Sequence, residues 1–157
     1  MNPFRSAFNS IFNKKYTIYD YGYPCKLRKI YHENALDEKN VETVYFDILV
    51  DNKVVGKIDL RLGMNDYIYY LGQVGYLVYK EYRGNNYAYY ACLMLFKIAK
   101  SIYFVNDLII TCSPDNIPSY KTLTKLNGQL LETVNVPINH ELYWRDERIK
   151  CIFKYVL

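Results

Sequence analysis

The sequence predicts a single α+β domain over residues 1–157, with a mixed, mostly antiparallel central sheet of about six to seven strands flanked by helices. Three observations predict this fold class. The chain has 157 residues, of which 51% are apolar and 23% charged, as is typical of one hydrophobic core. Strand-like runs fill residues 41–79, and helical periodicity begins only near residue 88. A short apolar strand follows that helix, so we expect antiparallel strands that lead into a β-α-β unit.

The first 15 residues predict a short amphipathic helix, because apolar side chains recur at helical spacing at Phe4, Phe8, Ile11 and Phe12. Packing against the domain is the favoured use of such a helix. Binding to a membrane surface or to a partner protein is the alternative. The segment has no continuous apolar run to serve as the centre of a signal peptide, so we expect a cytoplasmic protein.

Residues 41–50 are rich in β-branched and aromatic side chains and predict a strand. Asp51 and Asn52 supply a turn, and apolar alternation resumes directly after it, so the two runs predict a β-hairpin. Residues 67–79 also have strand character. They end in the apolar stretch 75–79, which predicts a central strand buried on both faces.

A long helix follows this strand. Its apolar stripe is about four turns long and comprises Ala88, Ala91, Cys92, Leu95, Ile98, Ala99 and Ile102. Residues 107–112 then predict a buried strand, in right-handed parallel pairing with the strand before the helix.

The last third of the chain predicts one more helix and two strands. The helix covers residues 117–126, with Asn116 as its cap and Asn127-Gly128 as its end. Residues 129–136 and 147–156 predict the final pair of strands.

Charge and cysteine content exclude several function classes. The net charge of +4 is too small for a dedicated nucleic-acid binder, and no apolar stretch is long enough to span a membrane. The cysteines lie far apart, without a C-x-x-C pair or a nearby histidine, which predicts reduced thiols in the core and no metal site. Binding of single-stranded nucleic acid through a basic, tyrosine-rich surface remains an alternative.

The segment most informative about function is YRGNNYA at residues 82–88, between the strand and the long helix. A turn that opens a helix directs several backbone N–H groups and the positive end of the helix dipole towards one point, where phosphate binds. Arg83 would add positive charge, and Gly84 would let the backbone approach an anion closely. The alternative is an ordinary helix start in which Gly84 forms the turn and Asn85 or Asn86 caps the helix.

Residues 75–100, GYLVYKEYRGNNYAYYACLMLFKIAK, resemble the cofactor motif of the GNAT superfamily of N-acetyltransferases. In that family a central strand ending in Val-x-Pro is followed by Arg/Gln-x-x-Gly-x-Gly/Ala and a helix. Val78, Arg83 and Ala88 match this pattern.

Two later blocks extend the resemblance. Asn116 and Ser119 are similar to the family's Asn-x-x-Ser segment, and residues 125–128 are similar to its Lys-Leu-Gly-Phe ending. The order of the elements also agrees with the family from about residue 41 onwards.

The resemblance implies a domain that uses acetyl-CoA as its acyl donor and needs no metal. The pyrophosphate would lie on the backbone of Arg83, Gly84, Asn85, Asn86, Tyr87 and Ala88. The pantetheine arm would pair like an extra strand with Leu77 and Val78, and Asn116 and Ser119 would lie near its thiol end. The implied reaction is direct attack on the thioester by a primary amine, of a small molecule or a protein, in a ternary complex.

Three positions depart from the family pattern. Asn86 replaces a glycine of the motif, and Leu123 stands where many members carry the tyrosine that protonates the departing thiolate. Gln73 occupies a region where relatives often place a glutamate that acts as the base. These departures leave a second interpretation open, a catalytically weak or inactive acyl-CoA-binding sensor on the same fold.

The remaining catalytic candidates are Tyr120 as the acid and Glu141, His140 or Asp59 as the base. An amine with a lysine-like pKa of about 10.4 is almost fully protonated at pH 7, so a base or a water chain must remove a proton before attack. A backbone N–H near Val78 would stabilise the developing oxyanion.

The acceptor itself is not identified by the sequence. Family members build much of the acceptor pocket from helices between the first two strands, whereas here only residues 31–40 separate residues 27–30 from the next strand. We therefore expect a pocket that is reduced, or rebuilt by the N-terminal helix or a partner subunit, as in a homodimer. Tyr67, Tyr69 and Tyr70 would line it as an aromatic wall or, as we favour, pack within the sheet.

Overall fold

A computed structural model describes residues 16–157 and shows two antiparallel sheets with four helices. The first sheet has the order β1-β2-β3-β4-β5 and consists of Ile18–Tyr19, Lys26–Glu33, Thr43–Val50, Lys53–Arg61 and Val74–Val78. The second has the order β6-β8-β7, with β6 at Asp107–Cys112, β7 at Gln129–Asn135 and β8 at Ile149–Val156. The helices are α1 (Asp66–Leu71), α2 (Tyr87–Tyr103), α3 (Ile117–Lys125) and α4 (Glu141–Trp144). The helix predicted over residues 1–15 lies outside the described residues.

The β3–β4 hairpin forms as predicted. Asp51 and Asn52 have φ values of 49° and 62°, the left-handed conformation that a two-residue hairpin turn requires. Short polar residues such as these tolerate that conformation better than most side chains. The turn fixes the register between the two strands, so that Tyr45 lies opposite Asp59.

Helix α2 packs against β2, β4 and β5 and closes the core. Fully buried side chains from both layers meet there, among them Phe46, Ile58, Leu95 and Ile98. The predicted apolar stripe is confirmed except at its end, where Ile102 is 42% exposed. The four cysteines are free and buried, as predicted.

The two sheets are joined at Gln73, immediately before β5. Its backbone N–H donates to the Ile109 carbonyl at 2.7 Å, and its side-chain Oε1 accepts from the Ile109 N–H at 2.9 Å. No ladder continues from this junction between β5 and β6 within residues 16–157. The predicted parallel pairing of these strands is therefore wrong, because they are held together at one end and separate towards Val78.

The region around β5 differs from the sequence prediction in two ways. Residues 67–70 form helix α1 and not a strand, because the Asn65 side chain caps the helix by accepting from the Ile68 N–H at 2.8 Å. Strand β5 is at the edge of its sheet and is not buried on both faces, and Leu77 is 53% exposed.

The C-terminal elements agree with the prediction. Asn116 caps α3, and the left-handed Asn127 ends it before β7. The loop between β7 and β8 also contains the short helix α4, which the sequence did not predict. None of the helices described in residues 16–157 has the length and apolar character needed to cross a membrane.

Candidate cofactor site and comparison with known proteins

A cavity of about 560 Å³ opens beside β5, at the N-terminus of α2. It is lined by Tyr76, Leu77, Val78, Tyr82, Arg83, Gly84, Asn86, Tyr87, Ala88, Asn116, Pro118, Ser119 and Thr122. The structure thus brings together the predicted cofactor residues, with the exception of Asn85. The Asn85 side chain turns back and donates to the Tyr82 carbonyl at 3.0 Å.

The wall at the start of α2 leaves backbone groups accessible. Gly84 has a φ of 84°, and a Cβ at this position would meet no atom within 4 Å, so the backbone borders open space. Arg83 is exposed, and its Nε donates to the Val78 carbonyl at 3.0 Å, which ties the turn to the end of β5. The first turn of α2 presents N–H groups without partners inside the helix, the arrangement that favours an anion.

Asn86 takes the place of a motif glycine and contacts a charged side chain, that of Lys125. Its φ is 59°, so asparagine adopts the left-handed conformation that glycine would supply. Its side chain does not cap α2 but accepts from Lys125 Nζ at 3.3 Å. Lys125 also lies over the Tyr89 ring, 4.4 Å from its centre. The sequence did not predict this contact of Lys125, because α3 and the start of α2 meet only in the folded chain.

At the other end of the cavity, two hydroxyl groups lie together. Tyr76 Oη and Ser119 Oγ are 2.7 Å apart, and both residues line the cavity. Ser119 is held in place because Asn116 accepts a hydrogen bond from its backbone N–H at 3.2 Å while capping α3. Burial raises the pKa of Tyr76, so its hydroxyl stays protonated near neutral pH. The sequence did not single out Tyr76 as a site residue.

Tyr120, the predicted acid, does not line the cofactor cavity. Its ring packs edge-on against Phe153, with 5.5 Å between ring centres. Leu123, at the family's tyrosine position, is fully buried in the core. Other residues with hydroxyl groups line the cavity, and among them Tyr76 and Ser119 are hydrogen-bonded to each other.

Gln73 serves as the link between the sheets. Its Oε1 accepts from the Ile109 N–H, and its amide Nε2 donates to the Gly63 carbonyl at 3.1 Å. A carboxylate has no hydrogen to donate to that carbonyl. The amide at this position therefore fits a structural role.

His140 and Glu141 are also engaged in contacts outside the cavity. His140 caps α4, with Nδ1 accepting from the Leu142 N–H at 3.1 Å, and its Nε2 donates to the Tyr67 carbonyl at 2.9 Å. Glu141 pairs with Arg145 at 3.0 Å. Of the predicted base candidates, Asp59 is the one that borders a cavity described here, the second and smaller one.

The predicted tyrosine wall at residues 67–70 belongs to α1 and packs locally. Tyr67 stacks on His140 with 4.3 Å between ring centres, and Tyr69 Oη donates to Glu132 at 2.6 Å. None of the three tyrosines lines either of the two cavities described here. They pack around a helix and not within a sheet.

Comparison with known proteins places this geometry in a family. The profile described as "Acetyltransferase (GNAT) domain" matches residues 26–129. A comparison with curated protein sequences finds no match.

Several solved structures share the fold. An acetyltransferase of the GNAT family from Bacillus anthracis is 18% identical over 71% of this chain and 65% of its own, with a TM-score of 0.57. The microcin C7 self-immunity acetyltransferase MccE, solved with acetyl-CoA and AMP, is 16% identical over 73% of this chain and 61% of its own, with a TM-score of 0.54. This chain therefore spans less than two thirds of the length of either protein.

RimL, described as the ribosomal L7/L12 alpha-N-protein acetyltransferase, is covered more fully. It is 11% identical over 90% of this chain and 95% of its own, with a TM-score of 0.66. At these identities the structural likenesses show the fold, and the profile match over two thirds of the chain shows the family. The chain belongs to the GNAT family of acetyltransferases.

Proposed function

We propose that this protein is an acetyl-CoA-dependent N-acetyltransferase that transfers the acetyl group to a primary amine by direct attack in a ternary complex. One observation carries the proposal. A single cavity joins the exposed backbone at the start of α2 to the open edge of β5, and the Tyr76–Ser119 pair lies within it. The amides at Arg83–Ala88 would hold the pyrophosphate, and the backbone of Leu77 and Val78 would hold the pantetheine arm.

The open edge of β5 supports this placement of the thioester. Because no strand pairs with β5 on this side within the described chain, its outward-facing backbone groups can pair with an extended ligand, apart from the Val78 carbonyl, which accepts from Arg83 Nε. An N–H on the same edge would face the thioester carbonyl and stabilise the oxyanion. The Tyr76 and Ser119 hydroxyls would then donate to the departing sulfur. In many family members a tyrosine has this role, but its position is occupied here by Leu123.

The class of acceptor is proposed as a primary amine of a small molecule or of a protein. RimL is described as acting on a protein amino terminus, whereas MccE is described as a microcin self-immunity acetyltransferase. Both descriptions concern enzymes with only the fold in common with this chain. The alternative, an acyl-CoA sensor, would bind the same ligand without turnover.

Amine-dependent release of CoA tests the proposal. Purified protein with acetyl-CoA is assayed for free thiol against a panel of small amines and of peptides with free amino termini. We expect thiol release that depends on at least one amine, and Tyr76→Phe combined with Ser119→Ala should lower kcat by about tenfold or more, since a positioned proton donor contributes at least that much. Binding of acetyl-CoA without amine-dependent release across the panel would favour the sensor.

A further inference from the structure

The outer face of the first sheet, away from α2, carries a row of residues that lie directly opposite one another on neighbouring strands. The register pairs Tyr31 with Tyr45, Tyr45 with Asp59, and Asp59 with Gly75. Since side chains alternate along a strand, these four positions share one face and form a line across β2 to β5. A second cavity of about 330 Å³ lies on this row.

The tyrosine end of the row is a flat aromatic surface. The rings of Tyr31 and Tyr45 are stacked with 4.4 Å between their centres and 18° between their planes. Tyr45 Oη donates to Glu33 at 2.9 Å, which fixes its orientation, whereas Tyr31 is 51% exposed. The faces of such rings attract cations.

The carboxylate of Asp59 lies at the β5 end of the row. Its Oδ1 is shielded from solvent and accepts no hydrogen bond within the described chain. Arg61 Nη2 is 3.1 Å from that oxygen without the geometry of a hydrogen bond, and Arg61 Nη1 donates instead to the Gly72 carbonyl. Burial raises the pKa of Asp59, and the nearby Arg61 offsets part of that rise. The charge of Arg61 offsets part of the cost of burying this oxygen, and a cationic N–H donor would supply the hydrogen bond that it lacks.

Gly75 leaves room for the Asp59 carboxylate. A Cβ at this position would lie 2.6 Å from Asp59 Oδ2, so a side chain here would displace the carboxylate. The absence of a side chain therefore keeps Asp59 against the edge strand.

The second cavity borders the cofactor cavity. Tyr76 and Leu77 line both, so the two cavities lie on either side of the same stretch of β5. This stretch is the open edge on which we place the pantetheine arm. A nucleophile held on the row would approach the thioester from the opposite side of that strand.

We propose that the second cavity is the acceptor site and that it binds a primary ammonium group carried on an apolar or aromatic body. The Asp59 carboxylate would accept a hydrogen bond from the ammonium group, and Tyr31 and Tyr45 would contact the apolar or aromatic part of the acceptor. Lys57, two residues before Asp59 on the same strand and face, is exposed and also borders the cavity. The inference rests on the proposed function, because an acceptor site has meaning only beside a bound acyl donor.

Binding of a matched pair of probes tests the site. Benzylamine and benzyl alcohol have the same ring but differ in charge, and each is titrated by calorimetry into the protein saturated with CoA. We expect benzylamine to bind at least about tenfold more tightly, since hydrogen bonds to charged groups contribute this much. Asp59→Asn should abolish the difference between the probes, and Asp107→Asn, an exposed aspartate at the far end of β6, should retain it. Equal binding of the two probes, or an unchanged preference in Asp59→Asn, would overturn the assignment.

A second variant avoids the buried carboxylate. Tyr31→Leu removes a half-exposed aromatic ring. It should weaken the binding of benzylamine by about three- to tenfold and leave the affinity for acetyl-CoA unchanged. Unchanged benzylamine affinity in this variant would also contradict the site.

Two further measurements complete the test. One distinguishes a protein acceptor from a small-molecule acceptor, and the other distinguishes failure of the acceptor site from failure of the proposed function. A tripeptide with a free amino terminus is compared with its N-acetylated form, and preferential binding of the free form through Asp59 would indicate a protein acceptor. Acetyl-CoA affinity is measured on the same protein preparations before CoA is added. If acetyl-CoA binds and the probes do not discriminate, the acceptor site is wrong and the proposed function stands. If acetyl-CoA does not bind, both fail.

Discussion

Single residues in this protein combine structural and chemical roles. Asn116 caps a helix and lines the cofactor cavity, and Asn86 takes a glycine conformation while accepting from Lys125. Asp59 is the exception, because its buried Oδ1 lies 3.1 Å from Arg61 Nη2 but accepts no hydrogen bond within the described chain. A polar group that is costly to the fold and borders a cavity is the usual mark of a functional position.

Asp59→Asn should therefore affect stability in a pH-dependent way. Because the pKa of Asp59 is raised above its ordinary value of 3.8, the folded protein binds this proton more tightly than the unfolded chain does. The free energy of unfolding contributed by Asp59 is fully present below the unfolded pKa and is lost as pH rises through the folded pKa. We expect Asp59→Asn to be more stable than the parent by about 1 kcal/mol at pH 7.

Urea unfolding at a series of pH values measures this effect. The advantage of the variant should shrink as the pH falls towards the ordinary pKa of aspartate. A variant less stable than the parent at pH 7 would show that Asp59 is a structural ion-pair partner of Arg61.

At the scale of elements, the local signals in the sequence predicted most of the fold. The Asp51-Asn52 turn, the stripe of α2 and the Asn116 cap are each encoded within a few residues, and the structure confirms them. The helix α1 was missed because its tyrosines have high strand propensity, although Asn65 before it is a good cap.

Variants of Asn116 can separate its role as the cap of α3 from its proposed role in acetyl-CoA binding. Asn116→Ala should lose about 1 kcal/mol of stability with the cap, and it should weaken acetyl-CoA binding. Asn116→Asp keeps an oxygen that can cap the helix but loses the amide hydrogens and adds a charge to the cavity. We expect thermal stability near that of the parent for Asn116→Asp, together with weaker acetyl-CoA binding by calorimetry. Unchanged affinity in both variants would limit Asn116 to the cap.

At the scale of the whole molecule, the site depends on two sheets that meet at Gln73 and then separate. Phosphate-binding turns are local, so the sequence alone pointed to Arg83–Ala88, and all of these residues except Asn85 line the cavity. Phosphate binding there stays a prediction. It could not predict that Tyr76 meets Ser119, or that Lys125 reaches Asn86, because these contacts depend on how α3 packs against the rest. The edge position of β5 was missed for the same reason, since apolar runs do not distinguish central from edge strands.

We expect the junction at Gln73 to maintain the shape of the cofactor cavity, because it joins the two sheets beside β5. Gln73→Met keeps the length of the side chain but leaves the Ile109 N–H and the Gly63 carbonyl without their partners. We expect a loss of about 2–4 kcal/mol in the free energy of unfolding by urea, with weaker acetyl-CoA binding. Gln129→Met, at an exposed position of β7, is the matched control and should change neither. Parent-like stability of Gln73→Met would show that the junction does not depend on the side chain.

Isothermal titration of acetyl-CoA into the parent protein and into Gly84→Trp tests the central claim most directly. The parent should bind one acetyl-CoA per chain. The indole in Gly84→Trp would fill the open space at the start of α2 where the pyrophosphate is placed, so binding should be lost while the circular dichroism spectrum stays that of the parent. No binding by the parent, or equal affinity in the tryptophan variant, would contradict the placement of the cofactor.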